Sequence, residues 1–244
     1  MNKVCLSLGS ALPGKSPEDA MALAQNLEVP VIGKISLDHV QICPQNFCGG
    51  AMTMERLQNL QSTYPDTHFR FHANVRLMDK GCQYDLGTLH RHSEYTEILT
   101  PFLTYLGQPY SIHAASNGST LLLQVSNLRR LSEKSGVPVA LEGLYPGCRS
   151  NTVSAWDDYA ALLEHKVPYA LDLSHLNIVR HTYGDAPDGL VEALMQDKHC
   201  IEVHTSGNDG LHDRHLSCDG HEWWLDLLHL VHKDAVLFYE GRIQ

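Results

Sequence analysis

Short apolar runs alternate along the chain with longer segments in which apolar residues recur every three or four positions. The short runs are bounded by turn residues and contain many β-branched and aromatic side chains, which is typical of buried strands. They predict eight strands, within the segments VCLSLG, PVIGKISL, FRFHANV, YSIHAA, PVALEG, PYALDL, CIEVHT and AVLFYEG.

The longer segments predict seven amphipathic helices between these strands. They are SPEDAMALAQNL, TMERLQNLQSTY, SEYTEILTPFLTYL, STLLLQVSNLRRLSEKS, TVSAWDDYAALLEHK, GLVEALMQDK and GHEWWLDLLHLVHK. Short strands joined by helical crossovers pair in parallel, and eight of them match a closed (β/α)8 TIM barrel, here without a helix after the eighth strand. The alternative is an open doubly wound sheet, but the chain has neither a G-x-G-x-x-G nor a G-x-x-x-x-G-K-[ST] phosphate loop to support it.

Composition agrees with one globular domain spanning residues 1–244, a usual length for such a barrel. Hydrophobic residues make up 43% of the chain and charged residues 19%, so it can bury a sizeable core. The formal net charge is −10 with 16 histidines counted as neutral. A protein that binds phosphate backbones needs clustered Lys and Arg, so nucleic acid is not an expected partner.

Seven scattered cysteines form no C-x-x-C pair, and the amino-terminal segment MNKVCLSLGS has no long apolar stretch. We therefore expect a reducing, cytoplasmic setting. No run approaches the roughly 18 apolar residues of a membrane span, so no membrane association is expected. Cys43, Cys48 and Cys218 fall in predicted loops, where inert thiols are the expectation.

Histidine and carboxylate residues occur where the predicted strands end and the following loops begin. In a barrel the carboxyl ends of all strands face one mouth, so residues 29 to 41 positions apart in sequence can converge on one cavity. A single strand-end His or Asp is more often a helix cap or a hydrogen-bonded polar residue than a ligand, but the repetition favours a metal site. The six strand-end residues are His72, His113, Glu142, Asp172, His204 and Glu240.

Three loop residues extend this set: His175 in DLSH, and Asp213 with His215 in DRH. Nine nitrogen and oxygen donors are too many for one ion, so two or three metal ions are expected, and the mixture of imidazole and carboxylate favours a transition metal. Four further histidines are equally well explained as rim or solvated residues and are not assigned to the site. They are His39, His181, His212 and His221.

Metal-type residues are unusually frequent in the segment IEVHTSGNDGLHDRHLSCDGHEWW. We expect this segment to loop over the barrel mouth after His204 and to return at Asp213 and His215, which would account for their frequency. Gly207 and Gly210 are expected to allow this return, because glycine adopts positive φ at little cost. A helix containing Trp223 and Trp224 is expected to follow and to pack on the barrel.

These motifs resemble the multinuclear non-haem iron-dependent oxidases, TIM-barrel enzymes of the xylose-isomerase-like kind that modify ribosomally made peptides, as in methanobactin biosynthesis. The segment EVHTSG, followed by DRH, is the strongest similarity, to the family pattern E-x-H-x-A-G and its D-x-H. Further similar segments are FRFHANVRL, YSIHAAS, VALEGLYP, ALDLSHLNI and FYEG. The resemblance implies iron ligands at His72, His113, Glu142, Asp172, His175, His204, Asp213, His215 and Glu240, the nine residues already selected.

The resemblance implies a post-translational oxidation of a precursor peptide at a cysteine or near the peptide's end. It implies two or three irons as mixed Fe(II)/Fe(III), O2 as co-substrate, and a small partner protein that binds the leader peptide. Asp172, His175 and His215 are the residues expected to be catalytic. The chain departs from the family at Gly143, where the family usually has Asn, and at 205–207, where Thr-Ser-Gly replaces Leu-Ala-Gly.

Two other functions stay open on sequence grounds. One is a xylose-isomerase-like isomerase or an endonuclease IV-type phosphodiesterase, which also places His, Asp and Glu at strand ends. An isomerase needs a catalytic lysine or paired carboxylates, and Lys34 is the only lysine in a predicted strand that can serve; a repair endonuclease needs basic loops, which the net charge disfavours. The other is a non-catalytic binding barrel or a metal-dependent scaffold for a peptide-processing partner.

Overall fold

The computed structural model describes residues 3–47, 50–79, 81–147 and 151–243. Eight short parallel strands form its central sheet. They are β1 (Val4–Ser7), β2 (His39–Ile42), β3 (His68–Phe71), β4 (Tyr110–His113), β5 (Val139–Glu142), β6 (Tyr169–Asp172), β7 (Cys200–Thr205) and β8 (Val236–Tyr239).

The strands pair in the order β3-β2-β1-β8-β7-β6-β5-β4, so the first and last strands of the chain are neighbours. The Val4 to Leu237 register joins β1 to β8. Between β3 and β4, a parallel bridge pairs His72 with Ser111, and the Ala73 N–H donates to the Ser111 carbonyl at 2.8 Å. The fold is the predicted (β/α)8 barrel, and the open doubly wound sheet is excluded.

Helices surround this barrel in the part of the chain that the structure describes. They are α1 (Leu8–Ala11), α2 (Pro17–Ala24), α3 (Met54–Thr63), α4 (Ser93–Leu106), α5 (Leu121–Ser135), α6 (Trp156–His165), α7 (Leu173–Tyr183) and α8 (Leu190–Gln196). Short 3-10 helices occur at Pro44–Asn46, Leu89–Arg91 and Leu225–Leu230. As predicted, no helix follows β8 within the residues described up to 243.

Helix α5 shows why the amphipathic segments become helices. The Thr120 hydroxyl accepts a hydrogen bond from the Leu123 N–H at its start, and Gly136 ends it in the left-handed region at φ 74°. Its buried stripe includes Leu128 and Leu131, three positions apart. Burial of this stripe against the outer face of the barrel contributes most of the helix's stability.

The two faces of each strand have different roles, because successive side chains point to opposite sides. In β7, Val203 faces the surrounding helices and is fully buried among apolar side chains. Glu202 and His204 are also fully buried, but they contact residues of β2 and β5 across the barrel interior. The hydrophobic core therefore lies outside the barrel wall, and the barrel interior is polar towards its mouth.

The predicted second strand, within PVIGKISL, is wrong. That segment contributes to an antiparallel pair of Glu28–Val29 with Gly33–Lys34, and the barrel strand is the following His39–Ile42. Val31 is exposed and adopts φ 69°, which a barrel strand does not allow. Gln41 concealed the true strand, because it interrupts the apolar run by pointing into the polar interior.

The predicted helices also differ from the observed ones in two places. Helix α7 was missed because it begins directly after β6, with no loop to separate the two patterns. The predicted helix around Trp223 and Trp224 is wrong, since this pair lies in a turn before the 3-10 helix Leu225–Leu230. The Glu222 carboxylate accepts hydrogen bonds from two preceding backbone N–H groups and so stabilises that turn. Trp224 does pack on the barrel, at 1% exposure.

Two remaining expectations concern thiols and membranes. Cys43 and Cys218 are buried free thiols, whereas Cys48 lies outside the described residues. Among the helices described here, none combines the length and the apolar character needed to cross a lipid bilayer.

We predict that Tyr110→Phe weakens the closure between β3 and β4. Tyr110 is fully buried, and its hydroxyl donates to the Ala73 carbonyl, where the chain turns through φ 51°. Loss of this donor leaves a buried carbonyl unpaired and should lower the free energy of unfolding by about 1–3 kcal/mol. Urea unfolding measures the change. Tyr105→Phe, at a residue 43% exposed on α4, is the matched control, and equal losses in both variants would contradict the assignment.

Candidate metal centre

Glu142 lies at the centre of a buried cluster at the barrel mouth. It ends β5 and is 1% exposed. Its Oε1 lies 3.5 Å from Nδ1 of His204 and 3.8 Å from Nε2 of His113, and its Oε2 lies 3.4 Å from Nδ1 of His72. Three strand-end imidazoles from β3, β4 and β7 therefore surround one carboxylate.

His175 links this carboxylate to two more. Its Nε2 lies 3.4 Å from Oδ2 of Asp172 and 3.4 Å from Oδ2 of Asp213, and its Nδ1 lies 3.9 Å from Oε1 of Glu142. The same Nδ1 is 2.8 Å from the Gly143 carbonyl. Because a carbonyl only accepts, the Nδ1 carries hydrogen. Burial alone would lower the pKa of His175, but the charges of Asp172, Asp213 and Glu142 raise it well above its ordinary value. In the metal-free protein Nε2 therefore also carries hydrogen and faces Asp213, and a bound metal ion would take the place of that hydrogen.

Glu240 and His215 complete the cluster. Glu240 Oε1 lies 3.9 Å from Nδ1 of His204, and its Oε2 lies 3.6 Å from Nδ1 of His215. His215 Nε2 lies 3.4 Å from Oδ2 of Asp213. The structure thus brings all nine sequence-predicted residues into one continuous set of contacts.

Three subsets of these residues have the geometry of metal sites. Within each, the possible ligand atoms lie within 4.8 Å of one another. Two donor atoms held about 2.1 Å from one ion at a tetrahedral angle are about 3.4 Å apart, close to several of the distances above. The subsets are His72 with Glu142 and His204, Glu142 with Asp172 and His175, and Asp172 with His204 and Glu240.

Several donor atoms in the cluster are buried without a hydrogen-bond partner among the described residues. Burying such atoms unpaired is costly, so native proteins almost always provide them with a partner. A metal ion would supply that partner, and the donor set of imidazole and carboxylate fits a transition metal. The buried clusters can therefore hold metal ions. The unpartnered atoms are Glu142 Oε2, His204 Nδ1, Asp213 Oδ1, His215 Nδ1 and Glu240 Oε1.

The pKa values of the metal-free protein reflect this crowding. Burial lowers the pKa of His72 to about 3, so its ring is neutral and keeps a lone pair. Burial likewise raises the pKa of Glu240 to about 7. For Asp213, burial opposes ionisation, but the hydrogen bond and charge of His175 lower its pKa to about 2. Carboxylates of the same cluster thus differ widely in how readily they ionise.

Asp172 combines the two roles that sequence reasoning treated as alternatives. Its Oδ1 accepts hydrogen bonds from the N–H groups of Ser174 at 2.7 Å and His175 at 3.1 Å, which caps α7. Its Oδ2 faces the His175 ring inside the cluster. The helix cap therefore leaves one oxygen free to bind a metal.

The loop after β7 returns to the mouth as predicted, although only one of its two glycines acts as expected. Gly210 has φ 75°, and a Cβ added there would lie 2.4 Å from the His181 ring. Gly207 does not have a positive φ; an added Cβ there would lie 2.9 Å from the Ser217 carbonyl. Its role is close packing within the loop. His215 itself lies at φ 47°, an uncommon conformation for a side-chain-bearing residue.

The four histidines left out of the site lie apart from the cluster contacts described above. His39 begins β2 at the opposite end of the barrel and stacks on His68 with ring centroids 5.0 Å apart. His181 packs under Gly210. His212 and His221 are exposed.

Sequence reasoning missed the polar layer beneath the cluster, formed by Gln41, Arg70, Ser111 and Glu202. Ser111 Oγ lies 2.9 Å from His72 Nδ1, and Glu202 Oε2 lies 3.3 Å from His204 Nε2. Each stands two residues before a strand-end position or on the same face of a neighbouring strand. The period of two within each strand was the available signal, and it was applied only to the strand ends.

Packing explains why glycine follows Glu142 at position 143, where the resemblance leads one to expect asparagine. A Cβ at this position would lie 2.4 Å from the Tyr159 ring of α6. Tyr159 is fully buried, and its hydroxyl donates to the Leu144 carbonyl at 2.7 Å. The tyrosine occupies the space that an asparagine side chain would need.

Neither a family model nor a curated protein sequence matches this chain. Solved structures do. A xylose isomerase domain containing protein from Salmonella typhimurium LT2 has a TM-score of 0.68 at 17% identity, covering 98% of this chain and 88% of its own. A D-tagatose 3-epimerase-like protein has a TM-score of 0.64 at 16% identity, covering 98% and 90%.

Endonuclease IV from Thermus thermophilus has a TM-score of 0.55 at 17% identity, covering 93% of this chain and 86% of its own. At these identities the comparisons show the fold alone. The fold they share with this chain is the (β/α)8 TIM barrel.

We predict that Asp213→Ala and His215→Ala each remove bound metal while leaving the fold intact. Both residues are in a loop outside the barrel core, so their loss should leave the circular dichroism spectrum unchanged. His212→Ala and His221→Ala, from the same exposed segment, are the matched controls and should keep full metal content. Metal analysis of the four variants measures the effect. Loss of metal in His212→Ala with retention in His215→Ala would show that the D-x-H assignment is wrong.

We also predict that Gly143→Ala is destabilising. The new methyl group would meet the Tyr159 ring at 2.4 Å, and overpacking of this kind costs about 1–3 kcal/mol. Gly81→Ala, where no atom lies within 4 Å of the added Cβ, is the control and should be nearly neutral. Urea unfolding compares the two, and an unchanged midpoint for Gly143→Ala would refute the packing explanation.

Proposed function

We propose that this chain is a metal-dependent enzyme that holds two or three transition-metal ions at the barrel mouth. The observation that carries the proposal is the set of buried donor atoms that face one another without hydrogen-bond partners. A purely structural cluster of this size would be expected to pair these atoms. A metal centre explains why the barrel retains them.

The contacts indicate which residues are central to the ligand set. Glu142, Asp172 and His204 each belong to two of the three subsets, so they would lie at the middle of the group of residues that holds the ions. His113, Asp213 and His215 line the outer side, where His113 is 38% exposed in its side chain and His215 is 22% exposed. A substrate would approach from that side. Bound ions would supply Lewis acidity or, if they are iron, redox chemistry with O2.

The reaction we propose is the O2-dependent oxidation of a ribosomally made precursor peptide, with iron as the metal. It is supported by the resemblance of EVHTSG, DRH and the other strand-end segments to the multinuclear non-haem iron-dependent oxidases, and by a ligand set that iron accepts. The proposed partners are the precursor peptide and a small protein that binds its leader. Within this proposal Asp172, His175 and His215 act at the reacting groups.

The structural comparisons favour a second candidate, a sugar isomerase or epimerase or a phosphodiesterase. The neighbours named above include an epimerase-like protein and an endonuclease. Lys34 does not support the isomerase, because it is exposed beside Lys3 and Asp38 at the amino ends of β1 and β2, opposite the mouth. The net charge of −10 does not favour a nucleic-acid substrate.

We predict that protein purified without oxygen contains at least two irons per chain and that its absorption spectrum changes on exposure to oxygen or reductant. Iron-loaded protein should consume O2 with cysteine-containing peptides and change their mass, whereas His215→Ala should not. Zinc- or manganese-loaded protein tested on D-tagatose and on duplex DNA examines the second candidate. Stoichiometric zinc together with ketose conversion or DNA nicking, and no iron-supported oxidation, would overturn the oxidase.

A further inference from the structure

The polar layer beneath the metal cluster contains three residues whose side chains touch no strand-end ligand other than His204, and we call these three the inner layer. They are Gln41 from β2, Arg70 from β3 and Glu202 from β7. Gln41 and Glu202 are fully buried, and Arg70 is 5% exposed. None of the three has a place in the proposed ligand set, although a buried charge requires a specific explanation.

Glu202 contacts both other residues of the inner layer. The Arg70 guanidinium donates from Nη1 to Glu202 Oε1 at 2.9 Å, and the Gln41 amide donates from Nε2 to Glu202 Oε2 at 2.8 Å. His204 Nε2 lies 3.3 Å from the same Oε2. One carboxylate thus connects a fixed positive charge to the imidazole of a strand-end ligand.

The opposite nitrogen of His204 faces the proposed metals. Its Nδ1 lies near Glu142 and Glu240 and has no hydrogen-bond partner. An imidazole that binds a metal through Nδ1 must carry its hydrogen on Nε2. Glu202 is the group positioned to accept that hydrogen. The Gln41 Nε2, 3.1 Å from the ring nitrogen, is itself a donor, with Ser111 Oγ at 3.4 Å as a further acceptor.

We propose that Glu202 is a positioning residue for the metal centre: it holds the hydrogen on Nε2 of His204 and so directs the Nδ1 lone pair towards Glu142 and Glu240. Arg70 and Gln41 fix the Glu202 carboxylate in turn. This inference rests on the proposed metal-dependent function. Carboxylates that orient metal-binding histidines in this way typically contribute 10- to 100-fold to metal affinity.

A role in stability alone is the competing explanation. Replacing a buried ion pair by apolar residues of similar volume is often neutral or stabilising, whereas removing one partner leaves an unpaired buried charge. The double variant Arg70→Met with Glu202→Leu therefore removes the hydrogen bond to His204 without leaving such a charge. It separates positioning from stability.

The test is a Co(II) titration of the metal-free proteins, followed by visible absorption and by competition with a chelator. The double variant should bind Co(II) about 10- to 100-fold more weakly than the wild type, with an altered d–d spectrum, while circular dichroism shows a folded barrel. Glu202→Gln retains an acceptor oxygen and should be intermediate. Leu131→Ala, in the apolar core on α5, is the control and should lower Tm without changing Co(II) affinity.

The outcomes separate the two proposals. A folded double variant with wild-type affinity and spectrum would overturn the positioning role. If the double variant does not fold, Glu202→Gln decides in the same way, and wild-type affinity in it overturns the role. Failure of the wild-type protein to bind Co(II) would instead overturn the metal centre, and the positioning role with it.

Discussion

The structure of the barrel mouth depends on how the free-energy cost of burying the Glu142 carboxylate is compensated. This carboxylate is nearly inaccessible to water, and four imidazoles lie within 3.9 Å of its oxygens. Removing a charged group from water is costly unless charges or ligands compensate it. The parallel register imposes the proximity, because His113 pairs with Glu142 and Asp172 with His204 on adjacent strands. Strand pairing and site chemistry are therefore one constraint.

That constraint extends down the barrel. The inner layer under the cluster is also charged and buried, so the interior near the mouth is held by polar contacts, while the apolar side chains pack outside against the helices. The Arg70 guanidinium lies 5.8 Å from the centroid of the Phe238 ring, so the inner layer also contacts an aromatic side chain of β8. Rigid strands at both ends of these contacts give the cluster fixed positions, as a preorganised site requires.

The sequence allowed the barrel and the convergence of nine residues to be predicted, because strand-end position and helical periodicity are local signals. It misplaced β2, since Gln41 breaks the apolar pattern for a reason that lies across the barrel, at Glu202. It missed α7, because Asp172 ends a strand and caps a helix at once. The inner layer was missed because the period of two within each strand was followed only at the strand ends and not one step further back along each strand. The identity of the metal and the reaction depend on small differences in donor geometry that local patterns do not encode.

The two carboxylate oxygens of Asp172 have different partners, and this has a consequence for mutagenesis. One oxygen holds the first turn of α7, and the other belongs to the cluster, so any substitution there perturbs a helix and a ligand together. A loss of activity in such a variant would mix two causes and could not be apportioned between them. In the returning loop, by contrast, the Asp213 side chain does not cap a helix. Residues of that loop are the positions at which catalysis and architecture can be separated genetically.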